Sequence, residues 1–280
     1  MNILQELITK DTNIISLTDE NISLKDKYKI LGYTSILADY YVDYIYQNNN
    51  DVYYFKKDYK NTFSPFSIVE ELMGTYLCKY LGLETIKYIV AIAENCYGLA
   101  SLNFRNEKYE YYFLNDFVGC EGVKNSLYNI NVLKDICVDN QNYEELIKKM
   151  IDLIIVDIYM IQIDRGNINI QFKIDKMSQY LSFAPIYDFS NCLSKNDGTT
   201  KINNVIINSN IKEMLKKSKY FKERLEYILE KNMLEIWQQI CVDYKFNQDC
   251  SVYERISEYY KNKYKSQKKY IKKIIKDIHL

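Results

Sequence analysis

The stretch Ile163-Asp164-Arg165-Gly166-Asn167-Ile168-Asn169, followed by Ala184-Pro185-Ile186-Tyr187-Asp188-Phe189, decides how this chain is read. It sets a carboxylate at position 164, a carboxamide at 169 and a second carboxylate at 188. Phosphoryl transfer asks little covalent chemistry of a protein; it needs positioned metal, a positive group on the phosphates and an acceptor held in line. In this spacing Asp164 accepts the hydrogen bond of an acceptor hydroxyl and takes its proton late, while Asn169 and Asp188 offer hard oxygens to Mg²⁺.

Outward from that stretch, the apolar run Met150 to Ile163 leads straight into Asp164, and β-prone residues 167–172 follow it. Phe183 to Tyr187 then leads into Asp188, so both acids have a strand-and-loop setting. Toward the N-terminus, Asn13–Leu17 and Lys29–Tyr33 read as strands, and Tyr40–Tyr46 and Val52–Phe55 flank the turn-forming run Gln47–Asp51 as a hairpin ending at Lys56. Ser64 and Pro65 make an N-cap and first helical position, and Ile68, Leu72, Thr75, Tyr76 and Lys79 keep a helical period to Gly82, predicting a helix over 65–81. Lys56, at a strand end, is placed to reach the α- and β-phosphates of a nucleotide, and Glu71 within that helix to hold the lysine by an ion pair. Strands are expected near 86–93 and 97–104, with strand character again over 109–117.

From Val132 onward the chain reads as mainly helical, with helices over 142–163, 211–220, 221–242 and 252–278. The last of these carries Ile271, Ile274, Ile275 and Ile278 at helical spacing among many lysines, as a closing helix that packs one face and solvates the other. The polar segment 190–204 sits where a substrate-binding loop would lie, and Thr34, Ser35, Ser190 and Ser194 are candidate self-modification sites.

Composition excludes several classes. Lys+Arg and Asp+Glu number 37 each among 280 residues, so no charge imbalance favours nucleic acid, and direct nucleic-acid binding is not expected. The only histidine is His279, which removes His-based triads and zinc hydrolases. Seven cysteines without metal-finger spacing read as reduced thiols of a cytoplasmic protein. Met150 to Ile163 is too short to span a bilayer and contains Asp152 and Asp157, so no transmembrane segment is expected, and the opening residues do not form a signal peptide.

In these residues the chain resembles the HipA-like serine/threonine kinases. Their catalytic loop has the form D-x-x-x-x-N after an apolar helix, and their metal aspartate sits in a motif similar to Ala184-Pro185-Ile186-Tyr187-Asp188. Their N-lobe helix carries an acid and ends in a leucine-glycine pair, as Glu71 precedes Leu81-Gly82, and Tyr97 to Phe104 resembles the strand that leads to the adenine-binding hinge. The resemblance runs from about Lys56 to Cys192; Gly166 stands where many members carry histidine.

The resemblance implies a two-lobed, protein-kinase-like α+β fold. An N-lobe over 1–105 would hold a small antiparallel sheet with one helix, and a mainly helical C-lobe over 106–280 would hold the catalytic loop 163–170 and the metal motif 184–189. It covers the kinase core, without the extra N-terminal subdomain of longer members. It implies ATP and Mg²⁺ as cofactors and a protein Ser/Thr hydroxyl as acceptor. Asp164 would be catalytic, Asn169 and Asp188 metal ligands, and Lys56, Glu71, Gly32, Leu102 and Phe104 would line the nucleotide site, Gly32 in the phosphate loop. The same minimal set serves small-molecule and lipid kinases, and a pseudokinase that only binds would keep the fold; a monomer suffices for the chemistry.

Overall fold

The computed structural model describes residues 3–17, 45–48, 51–58, 66–93, 95–114, 116–117, 133–162, 165, 169–189, 192 and 212–279. The expected strand 29–33 with Gly32, the Ser64-Pro65 cap, Asp164 and all of the segment 190–204 except Cys192 lie outside them.

After a short helix α1 (Ile3–Leu7), the strands β1 (Ile14–Leu17), β2 (Ile45–Asn48), β3 (Asp51–Lys57), β4 (Tyr88–Ala93) and β5 (Cys96–Leu102) form a five-stranded sheet in the order β1-β4-β5-β3-β2. The β2–β3 hairpin pairs Asn48 with Asp51, a tighter turn than the sequence indicated, and β3 runs on to Lys57. All pairings are antiparallel except the edge, where β1 runs parallel to β4; the sheet is therefore mixed rather than wholly antiparallel. Parallel pairing needs a crossover connection, and β2, β3 and a helix over 67–80 lie between β1 and β4 in the chain. Alternation along β3 puts Phe55 into a small cluster with Leu17, Ala91, Ala93 and Ala100, and Lys56 onto the opposite face beside its ladder partner Leu99.

That opposite face is covered by α2 (Ser67–Tyr80), in which every residue from Ile68 to Cys78 is buried. Burial all round, Glu70, Glu71 and Thr75 included, marks a helix packed on both sides. It ends where Gly82 takes φ 71° and the Leu83 amide returns to the Cys78 carbonyl at 2.9 Å, a Schellman-like closure.

Strand β6 (Tyr109–Phe113) leaves the first sheet and pairs with β7 (Gln171–Asp175), which pairs in turn with β8 (Leu181–Phe183). The expected strand 109–117 ends at Phe113, whose amide donates to Asp116 at 2.7 Å. Helix α3 (Asn140–Met160) is capped by Asp139 and is buried throughout from Met150; Ile161 closes it in the left-handed region. Its two buried acids are both satisfied, Asp152 by Arg224 and Tyr220 and Asp157 by Arg165. Among the described residues no helix is long and apolar enough to cross a membrane.

The rest is helical: α4 (Lys212–Lys217), α5 (Lys219–Leu229), α6 (Met233–Tyr244) and α7 (Ser251–His279). The single helix expected over 221–242 is two, and the one expected over 211–220 stops at Lys217. Ser218 accepts from the Phe221 amide and Asn232 from the Leu234 amide at 3.0 Å each. Such side chains compete with the helical ladder and start a new helix instead. Helix α7 buries Ile256, Tyr260, Gln267 and Ile271 and exposes Lys261, Lys265, Lys268, Lys269, Lys272 and Lys276.

One local contact sets a pH dependence. Asp58, just past β3, accepts from the Leu4 amide at 2.6 Å, and burial pushes its carboxyl up to about 6 although the α1 amides oppose the shift. A carboxyl raised on folding favours the folded state when protonated. Its contribution is complete below the ordinary aspartate range and disappears as pH rises to about 6. Asp58→Asn is therefore expected to gain on the wild type by up to about 3 kcal/mol between pH 4 and 7. Urea unfolding of both proteins at the two pH values checks this; a constant difference would remove Asp58 as the cause.

Candidate active site

The β7–β8 hairpin explains why two distant positions meet. Asn169 stands just before β7 and Asp188 just after β8, so antiparallel pairing of Phe172 with Phe183 returns them to the same end of the sheet. A parallel bridge between Thr85 and Ile186 then ties the second strand's exit to the segment after α2. Asn169 Nδ2 donates to Asp188 Oδ2 at 2.5 Å.

Lys56 reaches the same point from β3. Its ammonium donates to Asp188 Oδ1 at 2.8 Å and to Glu71 Oε1, on the face of α2 turned to the sheet. The second Glu71 oxygen accepts from the Tyr88 hydroxyl and from the Phe189 amide, each at 2.9 Å. Glu71 is fully buried, whereas the Lys56 and Asp188 side chains keep 33% and 29% of their surface. The buried carboxylate is thus the fixed support and the other two face an opening. Burial works against the Lys56 charge, but the Asp188 and Glu71 carboxylates outweigh it and hold the ammonium above the ordinary lysine range. Burial beside Glu71 likewise keeps the Tyr88 hydroxyl protonated.

Asp188 has φ 64°, left-handed backbone that most side-chain-bearing residues avoid and that Asp and Asn enter more readily than others. The Asp188 carbonyl accepts from Gln162 Nε2 at 2.8 Å. Phe189, fully buried, lies on Gly74 of α2, where a Cβ would come within 2.0 Å of its ring. Only glycine lets the ring approach the helix this closely.

Leu102 and Phe104 stand at the far end of β5. Leu102 is 46% exposed and pairs with Tyr53, three ladder positions from the Leu99–Lys56 pair. The Phe104 ring lies 6.4 Å from that of Tyr187, the neighbour of Asp188. Gln171 joins this wall by donating to the Tyr187 hydroxyl at 2.7 Å and accepting from Arg105 at 3.3 Å.

Lys56, Glu71, Asn169 and Asp188 are therefore one cluster, with Leu102 and Phe104 along the strand that leads away from it. Sequence reasoning missed Tyr88, Gly74, Gln162, Asp157 and Arg165. Asp157 carried a signal, since it is with Asp152 one of two acids in a run of apolar residues, which predicts a buried partner for each.

No family model matches the sequence, and neither does any curated protein. Solved structures do. A Helicobacter pylori proinflammatory kinase, CtkA, is matched with TM-score 0.52 and 19% identity over 84% of this chain and 92% of that one. HipA of Shewanella oneidensis MR-1, solved in complex with HipB and operator DNA, is matched with TM-score 0.53 and 11% identity over 82% of this chain. The fold is that of the HipA-like kinases. The chain spans 60% of the length of that HipA chain.

Within this HipA-like fold the donor set suits a magnesium ion. Asp188 Oδ2 and the Asn169 carboxamide are adjacent, and turning that amide presents its oxygen in place of its nitrogen. Among the described residues no three His, Cys, Asp or Glu side chains gather into a closed cage. Magnesium held by one or two protein oxygens and by phosphates needs none.

Proposed function

We propose that this chain is a cytoplasmic, ATP-dependent protein serine/threonine kinase that also phosphorylates itself. The observation that carries the reading is the single cluster in which Lys56 bridges a buried Glu71 and a partly exposed Asp188 that also touches Asn169. A lysine on a strand, held by a helix glutamate and adjoining an aspartate and an asparagine, is the arrangement that cradles a nucleotide's phosphates.

In this reading Glu71 fixes the Lys56 stem from behind. An ammonium has three donors, so Lys56 can stay on Glu71 and turn its other donors, one of which meets Asp188 here, to the α- and β-phosphates. Asp188 and Asn169 would hold Mg²⁺, which neutralises charge on the β- and γ-phosphates when bound. Asp164 orients the acceptor hydroxyl. The new bond joins the acceptor oxygen to the γ-phosphorus as the bond to the β,γ-bridging oxygen breaks. ADP leaves, and the hydroxyl proton passes to Asp164. Phe104 would flank the adenine, with Tyr187 extending the wall, while Leu102, whose side chain alternation puts on the face opposite Lys56, would meet it through its backbone. The acceptor is a Ser or Thr hydroxyl of a protein.

The test is transfer of radiolabelled γ-phosphate with Mg²⁺, by the wild type and by Asp164→Ala, onto the chain itself and onto a generic protein acceptor. Incorporation is expected to fall about a hundredfold or more in the variant, the usual worth of a positioned acid-base group. Wild-type protein that shifts its melting temperature with Mg-ATP yet transfers nothing would overturn the reading in favour of a binding protein.

A further inference from the structure

We propose that Arg165 is a positioning residue that grips the residues on both sides of Asp188, one by its carbonyl and the other by its ring, and so fixes the aspartate that would hold Mg²⁺, a role that rests on the kinase reading above. Its guanidinium is spent entirely inside the protein. Nε donates to Asp157 Oδ2 at 3.1 Å and to Oδ1 at 3.3 Å, and Nη2 to Oδ1 at 3.0 Å. Nη1 donates to the Tyr187 carbonyl at 2.8 Å, and the guanidinium carbon lies 4.8 Å from the centre of the Phe189 ring. One planar fork therefore holds the residue before Asp188 by a hydrogen bond and the residue after it by a cation–π contact, while Asp157 anchors the fork to α3.

Stability by itself is a weak reason for such an arrangement. Both side chains of the Arg165–Asp157 pair are 1% exposed, and a buried ion pair often recovers no more than its desolvation cost. What distinguishes this pair is where its remaining donor and its flat face go. Asp188 sits at φ 64°, which aspartate enters more readily than most residues, and its neighbours hold it there. The neighbours are Gln162 on the Asp188 carbonyl, Glu71 on the Phe189 amide, Gly74 under the Phe189 ring, and Arg165 on Tyr187 and Phe189 together. Among these, Arg165 is the residue that follows Asp164 directly in the chain. The geometry thus joins the segment of the candidate acceptor base to the segment of the candidate metal ligand through one side chain that meets neither substrate nor metal.

Lysine at 165 keeps a positive charge for Asp157 but has neither the second arm nor the plane. The experiment compares wild type with Arg165→Lys, and with the apolar double variant Asp157→Leu/Arg165→Met should the lysine variant fail to fold. Three quantities are read: the unliganded melting temperature, the hydrogen-exchange rate of the Phe189 amide, and the Mg²⁺ concentration that half-saturates phosphate transfer. The expected result is a melting temperature near that of the wild type, Phe189 exchange at least roughly tenfold faster, and a Mg²⁺ requirement raised roughly tenfold, the usual effect of losing a group that orients a metal ligand. A folded variant with unchanged exchange and unchanged Mg²⁺ requirement overturns the proposal. So does a lowered melting temperature with exchange accelerated evenly through α3 and α2, which would make Arg165 a core ion pair and nothing more. If the wild type transfers no phosphate the kinase reading fails, and the Phe189 exchange rate still decides whether Arg165 braces Asp188.

Discussion

Replacing Asp188 by asparagine is expected to lower phosphate transfer about a thousandfold while leaving the fold and metal-free nucleotide binding close to wild type. The reasoning separates the backbone from the charge. Asparagine is among the few residues that tolerate left-handed backbone, so φ near 64° is kept, and with it the Gln162, Glu71 and Gly74 contacts around the turn. Lys56 retains its bond to the buried Glu71. What disappears is the negative charge facing the opening, and with it the strongest oxygen ligand a hard divalent cation would find there. Charge stabilisation worth several kcal/mol, at about 1.36 kcal/mol per decade of rate, gives a loss on the order of a thousandfold. Steady-state transfer across a Mg²⁺ titration measures it. Activity within tenfold of the wild type at every Mg²⁺ concentration would show that Asp188 holds no metal and that the cluster has another purpose.

Glu71→Ala is expected to cost about 3 kcal/mol of stability in addition to most of the activity. A fully buried carboxylate with three donors on it cannot be removed without leaving them behind: the Lys56 ammonium, the Tyr88 hydroxyl and the Phe189 amide all lose an acceptor. Each neutral buried donor left unpaired costs about 1–3 kcal/mol, and breaking a buried ion pair about 3–5 kcal/mol. Lys56 is one-third exposed and keeps Asp188, so its share falls to about 1 kcal/mol, and the two neutral donors at about 1 kcal/mol each bring the total to about 3 kcal/mol. Chemical denaturation of the two proteins gives the number directly. Glu71→Gln, which still offers one carbonyl oxygen, should fall between them, and a loss below about 1 kcal/mol for the alanine variant would mean that the helix is held to the sheet by apolar packing alone.

The two variants divide the cluster into the part that supports and the part that reacts, and the sequence revealed these parts unequally. Local signals were sufficient for β1, for the β2–β3 hairpin and for α2 up to Gly82, because alternation, turn residues and helix-ending glycine act over a few positions. They failed where a side chain outcompeted a smooth pattern. Ser218 and Asn232 each carry helix-starting chemistry inside runs whose hydrophobic period continues across them. The parallel edge formed by β1 and β4 was equally hidden, since pairing direction depends on how the chain returns and not on the residues of either strand.

The sequence by itself determined the candidates for the reactive groups: a lysine near the end of a strand, an acid on the next helix, and the Asp-to-Asn spacing with its later aspartate. Those are choices of residue type, and chemistry restricts them tightly. Only the tertiary structure decided that Lys56, Glu71, Asn169 and Asp188 share one point, because the β7–β8 hairpin and the approach of α2 to β3 set distances that no local pattern encodes. It also decided that Glu71 is buried while Asp188 is partly open, and that Arg165 looks inward to Asp157, Tyr187 and Phe189. Burial and partner choice are properties of the packed whole. An isolated Arg, Gly or Tyr in the sequence carries no mark of which distant residue will lie against it.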